Sequence, residues 1–495
     1  MRNIITGEDV EIAIRTGERE IVVGPDDIVT SVAHEVAQRG GIRLVQSESA
    51  RPDVGSPEGT KAKEEPTIQP EAVRAPDSQE TYRPLTAHVP LAEASSAVPP
   101  FDMDYWRRQF PILEHYLHVA NCSQAPQSTF TREAAMEYLE SWNRMGMDWE
   151  RWMEEIHYAK EEFGKLINAT PDEIAVGTSV SELTSTIASA LPLDRGRKKV
   201  VVTDAEFPTV GHVWLANRKY GFEVGFIPVK NGIIDEDDYE RYVDENTIIT
   251  SACDTYYYNG FRQNLAGIIP KIHEKGSLVY VDAYQGLGTH PLDVKALDVD
   301  ILASGNLKYL LGVPGIAFLY VKKEIIEYLE PAFTGWFGQE NPFAFDIHNF
   351  VYAPDARRFD NGTPPVPTAY IARAGMMVIN RVGVENIYRW TNVLSEYCLR
   401  GATERGLDVA SPMDLSMKAP NTAIRVPGDS HEFELALREK GVIASARSDV
   451  VRIAPHFFIT LEDIDYILDC YAELLNKKRN GQRLIYGKMK VWNLG

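Results

Sequence analysis

Cysteine is scarce: four in 495 residues, Cys122, Cys253, Cys398 and Cys470, with none close to another. Without a Cys-x-x-Cys pair, a zinc site and a disulfide framework are both disfavoured, no metal is expected, and a reducing cytoplasm is the expected setting. Long apolar runs are also missing. None approaches the roughly 18–20 residues that a membrane helix needs. The opening segment, Met1 to Glu8, has no signal-peptide core. Positive charge is in deficit, with 51 Lys and Arg against 71 Asp and Glu, a net −20. That balance argues against nucleic acid or an anionic membrane as a partner.

Hydrophobic residues make up 44% of the chain, and its length suits two or three domains. Residues 1–46 read as a small module. It has a capped helix from Thr6, a strand at Glu20, a helix from Ile28 with a Gly40-Gly41 stop, and a last strand at Ile42. Residues 47–100 are rich in Ser, Glu, Pro, Ala and Thr. They carry too little apolar surface to offset ordering entropy, so a disordered tether is expected. Residues 101–370 read as a large α/β domain and residues 371–495 as a small α+β domain. Within the first, 129–168 has helical periodicity and carries Trp142, Trp149 and Trp152, an aromatic stripe expected in the core or at a dimer interface. A long helix to about Arg405, short strands at Ala423–Val426 and Val442–Ser445, and a helix from Leu461 fill the second.

Over much of 170–320 the chain alternates strand, turn and helix, which implies an open parallel sheet with crossover helices. Such sheets carry their sites at the carboxyl ends of strands. Two of those ends are informative. Leu278-Val-Tyr-Val-Asp282 is an apolar strand ending in an acid, and Ile301-Leu-Ala-Ser304-Gly leads into a polar turn with Lys308 and a glycine-rich run to Gly315. Alone, Asp282 reads as a strand-end cap and Lys308 as a solvated lysine. Together they supply what pyridoxal phosphate chemistry requires: an amine for a Schiff base and an acid that keeps the pyridine nitrogen protonated.

With these motifs the sequence resembles the class V aminotransferase family of fold-type I pyridoxal phosphate enzymes, nearest in motif to kynureninase-like and isopenicillin-epimerase-like members. The resemblance spans about Phe101 to Asn476 and rests on Asp282-x-x-Gln285, the Lys308 turn, Arg358-Phe-Asp-Asn-Gly362-Thr363 and Arg452-Ile-Ala-Pro-His456-Phe. It implies a large sheet domain plus a small C-terminal domain, pyridoxal 5'-phosphate as cofactor, an amino-acid substrate, and a homodimer with shared active sites. It assigns Lys308 to the Schiff base, Asp282 to the pyridine nitrogen, Gln285 to the phenolic oxygen and Phe207 to stacking on the ring. Ser179, the Val180 amide and Ser181 take the phosphate at a helix start, joined by Ser304 and Trp336. Ser304 lies four residues before the lysine, where the commoner pattern has serine three before. Gly362-Thr363 reaches the phosphate of the partner subunit. Arg452 grips the substrate carboxylate, a task suited to a guanidinium fork, and Asn121 and Ser123 line the same pocket. None of Tyr256, Tyr257 and Tyr258 is singled out. Residues 1–46 are similar to modules on bacterial microcompartment proteins, which implies a shell or scaffold partner and residence within such a compartment. A docking or oligomerisation appendage is the equal alternative.

Two departures bear on the reaction. Cysteine desulfurases carry histidine where Phe207 stands, and a mobile cysteine near the arginine. The stretch Lys440–Arg452 has no cysteine. Cβ or C–S cleavage, elimination or epimerisation through an external aldimine is therefore expected. Transamination with an oxo acid, and a microcompartment cargo role, are the alternatives.

Overall fold

The computed structural model describes residues 98–193 and 196–484, together with residues 4–5, 10, 13–14, 19–24, 28–29 and 31–46. The tether expected over 47–100 lies outside them except for its last three residues, as does most of the helix expected from Thr6. The chain divides into two compact units, Met1–Leu85 and Thr86–Gly495. In the first, Glu20–Val23 pairs in parallel with Arg43–Gln46, and helix Ser31–Gly40 lies between them in sequence. Val10, Ala13, Val23, Ala33, Ala37 and Ile42 form its core.

The second unit is built on a seven-stranded sheet: β1 (Ile174–Gly177), β2 (Lys199–Thr203), β3 (Glu223–Ile227), β4 (Thr247–Cys253), β5 (Leu278–Asp282), β6 (Ile301–Gly305) and β7 (Ala317–Val321). Their spatial order is β1-β7-β6-β5-β4-β2-β3. β7 runs antiparallel to both β6 and β1, and every other pairing is parallel. The sheet is therefore mixed, with six strands sharing one direction. β4, β6 and β7 are buried along their whole length. This explains why they show no alternation of apolar and charged residues, β4 burying Thr247, Thr250 and Ser251 along with its apolar side chains.

Helices cover both faces, and the strand residues sort between them with period two. Val200, Val202, Tyr280 and Ala303 pack with Leu183 and Ile187 of α3 (Val180–Ala190) and Val210 and Trp214 of α4 (Pro208–Asn217). Val201, Val279, Val281 and Leu302 face the other way. They pack with Phe163 and Ile167 of α2 (Trp149–Ile167), Ile268 and Ile272 of α5 (Leu265–Glu274) and Met376 of α6 (Val366–Val382). Each such side chain contributes roughly 1.5–3 kcal/mol on leaving water.

The helical stretch expected over 129–168 is two helices, α1 (Thr129–Met145) and α2, separated at Gly146, whose φ is +69°. Trp142 is exposed, whereas Trp149 and Trp152 meet edge to face. The long helix expected to Arg405 is likewise two, α6 and α7 (Val384–Glu404), because Gly383 takes a φ of +86° that a right-handed helix cannot contain. The boundary expected at 370/371 falls inside α6, which packs on α1, α2 and the sheet core.

The C-terminal part carries a three-stranded antiparallel sheet with β10 (Val450–Ile453) between β8 (Thr422–Arg425) and β9 (Ser445–Arg447), closed by α8 (Leu461–Arg479). Leu117–His118 pairs in parallel with Val442–Ile443, and Ala120 bridges Ala454. The Ala125 amide then donates to the Leu307 carbonyl at 2.9 Å. These links deliver residues 121–125 to a point between β10 and the Lys308 turn.

Candidate active site

Five strand ends converge. In register, Asp282 stands opposite Cys253 on one side and Ala303 on the other, so β4 and β5 finish level and β6 runs two residues further, to Gly305. Beyond them, with the starts of α3 and α4, lies a cavity of about 340 Å³. Lys308, Asp282, Gln285, Phe207 and Arg452 all line it, together with Ser179, Val180 and Ser181.

The α3 end is built for an anion. Ser179 caps the helix, its Oγ accepting from the Glu182 amide at 3.2 Å, and Ser181 Oγ donates to Thr209 Oγ1 at 3.3 Å. Glu182, a carboxylate in the same first turn, has partners of its own. It accepts from the Thr178 amide at 2.7 Å and from Asn361 at 2.8 Å. The exposed first-turn amides and three hydroxyls remain for a phosphate.

The middle of the cavity holds the amine and the acid. Lys308 Nζ lies 4.2 Å from the Tyr284 ring centre and 5.5 Å from that of Phe207. Burial lowers its pKa to about 8, against the pull of Asp282, and Arg452 and Arg447 add to the lowering. Burial pushes the Asp282 carboxyl above its ordinary range, although it accepts from the Tyr284 amide at 2.9 Å and feels the Lys308 charge. Gly305 is required beneath: a Cβ there would stand 2.0 Å from the Tyr284 ring.

The substrate end is arginine-rich. Arg452 is fully buried, and four of its five N–H donors have protein acceptors: Ser445 O at 3.3 Å, Tyr257 O at 2.8 Å, Ser123 Oγ at 3.0 Å and Ser445 Oγ at 2.7 Å. The guanidinium is thus locked in place, with one Nη1 hydrogen left over.

Other expected residues fall elsewhere. Asn121 is fully buried, donates to the Ala454 carbonyl at 2.8 Å and does not line the cavity; its neighbours Cys122 and Ser123 do. Ser304 is buried within β6 and its hydroxyl donates to the Gly305 carbonyl at 2.9 Å, outside the lining. Trp336 donates to Pro342 O at 2.6 Å and packs on Trp149. Thr363 is exposed, apart from this chain's own cavity lining.

The site also contains residues that sequence reasoning passed over. Tyr284 and Arg447 line it. Glu206 lies behind it, 6% exposed. Its Oε1 accepts from Ser251 Oγ at 2.8 Å, and its Oε2 has no hydrogen-bond partner among the described residues. Burial and the facing Asp282 push its carboxyl well above the usual range. Only the Glu206-Phe-Pro motif hinted at it.

Pyridoxal phosphate fits these residues. Amides and hydroxyls at α3 suit its phosphate, Lys308, its pKa lowered by burial, suits its aldehyde, and the buried Asp282, destabilised as an anion by desolvation, suits its pyridinium. Fold and site therefore define a fold-type I pyridoxal phosphate enzyme. The chain belongs to the class V aminotransferase family: the family described as aminotransferase class-V matches residues 115–457. An uncharacterized aminotransferase of Bacillus subtilis is 38% identical over 368 residues, covering 74% of this chain and 96% of that protein. A kynureninase of Geobacillus thermodenitrificans is 21% identical over 395 residues, 76% of this chain and 92% of that one. In fold, a cysteine desulfurase of Thermococcus onnurineus superposes with a TM-score of 0.69 at 21% identity, covering 77% of this chain and 99% of that one. Residues 1–46, with their microcompartment resemblance, lie outside the matched span and gain no support from it. No helix among the described residues is long and apolar enough to cross a membrane.

Proposed function

We propose that the enzyme cleaves or epimerises an α-amino acid, with Lys308 removing and returning the proton at the substrate Cα. The observation that carries this is the set of acid–base groups at the cavity. No histidine lines it among the described residues, and Phe207, which does, cannot transfer a proton. Pyridoxal phosphate, when bound, supplies the electron sink that makes the Cα proton acidic. Arg452 fixes the carboxylate through its free Nη1 hydrogen, and so fixes which Cα bond faces Lys308. Asp282 would hold a proton on the pyridine nitrogen, Gln285, whose amide donates to the Cys122 carbonyl at 3.1 Å, would face the phenolic oxygen, and Ser179, Ser181 and Thr209 would hold the phosphate.

Persulfide chemistry of the desulfurase kind is disfavoured. The hairpin before Arg452 has no cysteine. Cys253, although at the cavity, has its thiol pushed well up by burial and by Glu206, Asp282 and Asp254. Cys122 is 1% exposed and packed against Tyr309 and Ala454. Transamination is the second reading, favoured by the aminotransferase name of the Bacillus subtilis relative.

A panel of amino acids incubated with the holoenzyme separates the classes. Cleavage or elimination gives fragments with or without ammonia, and epimerisation gives an inverted stereocentre. Transamination turns over only with an oxo acid present, and strict dependence on an oxo acid would overturn the first reading. Arg452→Ala is expected to weaken amino-acid binding by on the order of 10²–10³-fold, the loss of a buried charge-assisted contact. Cofactor absorbance should persist in that variant, and unchanged amino-acid affinity would remove Arg452 from the carboxylate role.

The pairing of subunits expected from the resemblance also belongs here. Thr363 is exposed, and Met136, Leu139 and Trp142 present an apolar face on α1. Both features support a homodimer in which Thr363 serves the partner's phosphate. Sedimentation of Thr363→Ala as a dimer with weakened cofactor retention is the expected result, and a wild-type monomer would refute it.

A further inference from the structure

A second arginine lines the same cavity, and the chemistry proposed above does not use it. Arg447 ends β9, which pairs with β10 so that Ser445 faces Arg452 and Arg447 faces Val450. Side chains alternate along a strand. Arg447 therefore shares the face of Ser445, whose hydroxyl holds Arg452 at 2.7 Å. The hairpin turn is tight, with Ser448 at a φ of +53°.

The two arginines differ in what they touch. Arg452 is buried and held by four acceptors, as above. Arg447 is exposed, and among the described residues no carboxylate pairs with it. The acids close to it in sequence and space point elsewhere. Asp449 accepts from the Tyr258 hydroxyl at 2.7 Å and lies 3.7 Å from Arg425 Nε, while Glu434 accepts from the Ala446 amide at 2.9 Å. Arg447 and Arg452 both act on the Lys308 charge, so both guanidiniums are felt at the reacting amine.

On the small-sheet side of the cavity two guanidiniums stand together with no acid among the lining residues there. Its lining carries Arg447, Arg452 and Lys308 against a single acid, Asp282. The groups suited to phosphate belong to α3 and α4 on the large sheet, whereas Arg447 belongs to the small sheet beside Arg452. A substrate α-carboxylate neutralises Arg452 and leaves Arg447 unmatched. We propose that Arg447 receives a second carboxylate, on the substrate side chain, so that the enzyme acts on α-amino dicarboxylic acids. This rests on the roles given above to Lys308 and Arg452, and it adds the substrate class.

The test compares isosteres that differ only in charge. Holoenzyme is titrated with L-aspartate against L-asparagine and L-glutamate against L-glutamine, with binding read from the cofactor's absorbance. At least one acid should bind about tenfold or more tighter than its amide, a difference of about 1.4 kcal/mol. That ratio should shrink as ionic strength rises, because the arginine is exposed. Arg447→Gln should bring the ratio to within about twofold of unity, and Arg447→Lys should retain part of it. Amides that bind as tightly as acids, a ratio that survives Arg447→Gln, or a spectrum that answers to none of the four amino acids would each overturn the proposal. Protein that shows no cofactor absorbance at all would instead sink the reading of Lys308, so the two failures are distinguishable.

Discussion

Lys308→Ala is expected to remove the absorbance of the lysine-bound cofactor and to lower turnover by on the order of 10³-fold or more, the range lost when a covalent anchor and general base go together. The geometry explains why no neighbour substitutes for it. The other cavity-lining nitrogens belong to amides, to Gln285 and to two arginines that cannot deprotonate at working pH. The pKa of about 8 gives the argument a magnitude. An amine lowered to about 8 has a far larger neutral fraction at pH 7 than an ordinary lysine, so the attacking form is enriched. The sign is set by the nucleophile being the neutral form. Cofactor attachment to apoenzyme should therefore quicken as pH rises and level off above about 8. A rate still climbing steeply at pH 10 would show that Lys308 is not depressed. An absorbance unchanged in Lys308→Ala would place the anchor on another residue.

What the sequence disclosed about this site follows from locality. Asp282 ends an apolar strand and Lys308 lies in the turn three residues past the end of another. The anion cradle at Ser179–Ser181 was legible for the same reason, since a glycine turn and a helix start are adjacent in sequence. Arg452 came from its motif, but its four hydrogen bonds did not. They join residues 123, 257, 445 and 452, and depend on Leu117–His118 pairing with Val442–Ile443 across more than three hundred residues. That closure also separates Asn121, turned to the Ala454 carbonyl, from Ser123 at the cavity. Ser304 and Lys308 are close in sequence, yet the strand holds Ser304 in the sheet while the turn carries the lysine out. Arg447 and Glu206 were silent because their meaning lies in what fails to pair with them, and only a folded chain shows that.

Two buried acids, Asp282 and Glu206, stand behind Lys308, and their charge states should respond oppositely to neutralisation. Asp282→Asn is expected to lower turnover by at least about 100-fold, because an amide cannot hold a proton on the pyridine nitrogen and the cofactor loses its electron sink. Glu206→Gln is expected to stay within about threefold of wild type, since a carboxyl kept protonated by burial is nearly isosteric with an amide. The Ser251 hydroxyl, 2.8 Å from Oε1, can donate to the amide oxygen as it does to the acid. Each carboxyl raises the cost of ionising the other, and the pair can hold one negative charge far more readily than two. The charge should settle on Asp282, which has the Tyr284 amide at 2.9 Å and the Lys308 cation to stabilise it. Glu206 has only a hydroxyl, and burial favours its neutral form. As pH falls, Glu206 should therefore take up a proton before Asp282 does, and the two variants should differ in kcat. Steady-state kinetics and absorbance spectra of both proteins decide the matter. If Glu206→Gln falls as far as Asp282→Asn, the assignment of the charge to Asp282 alone is overturned.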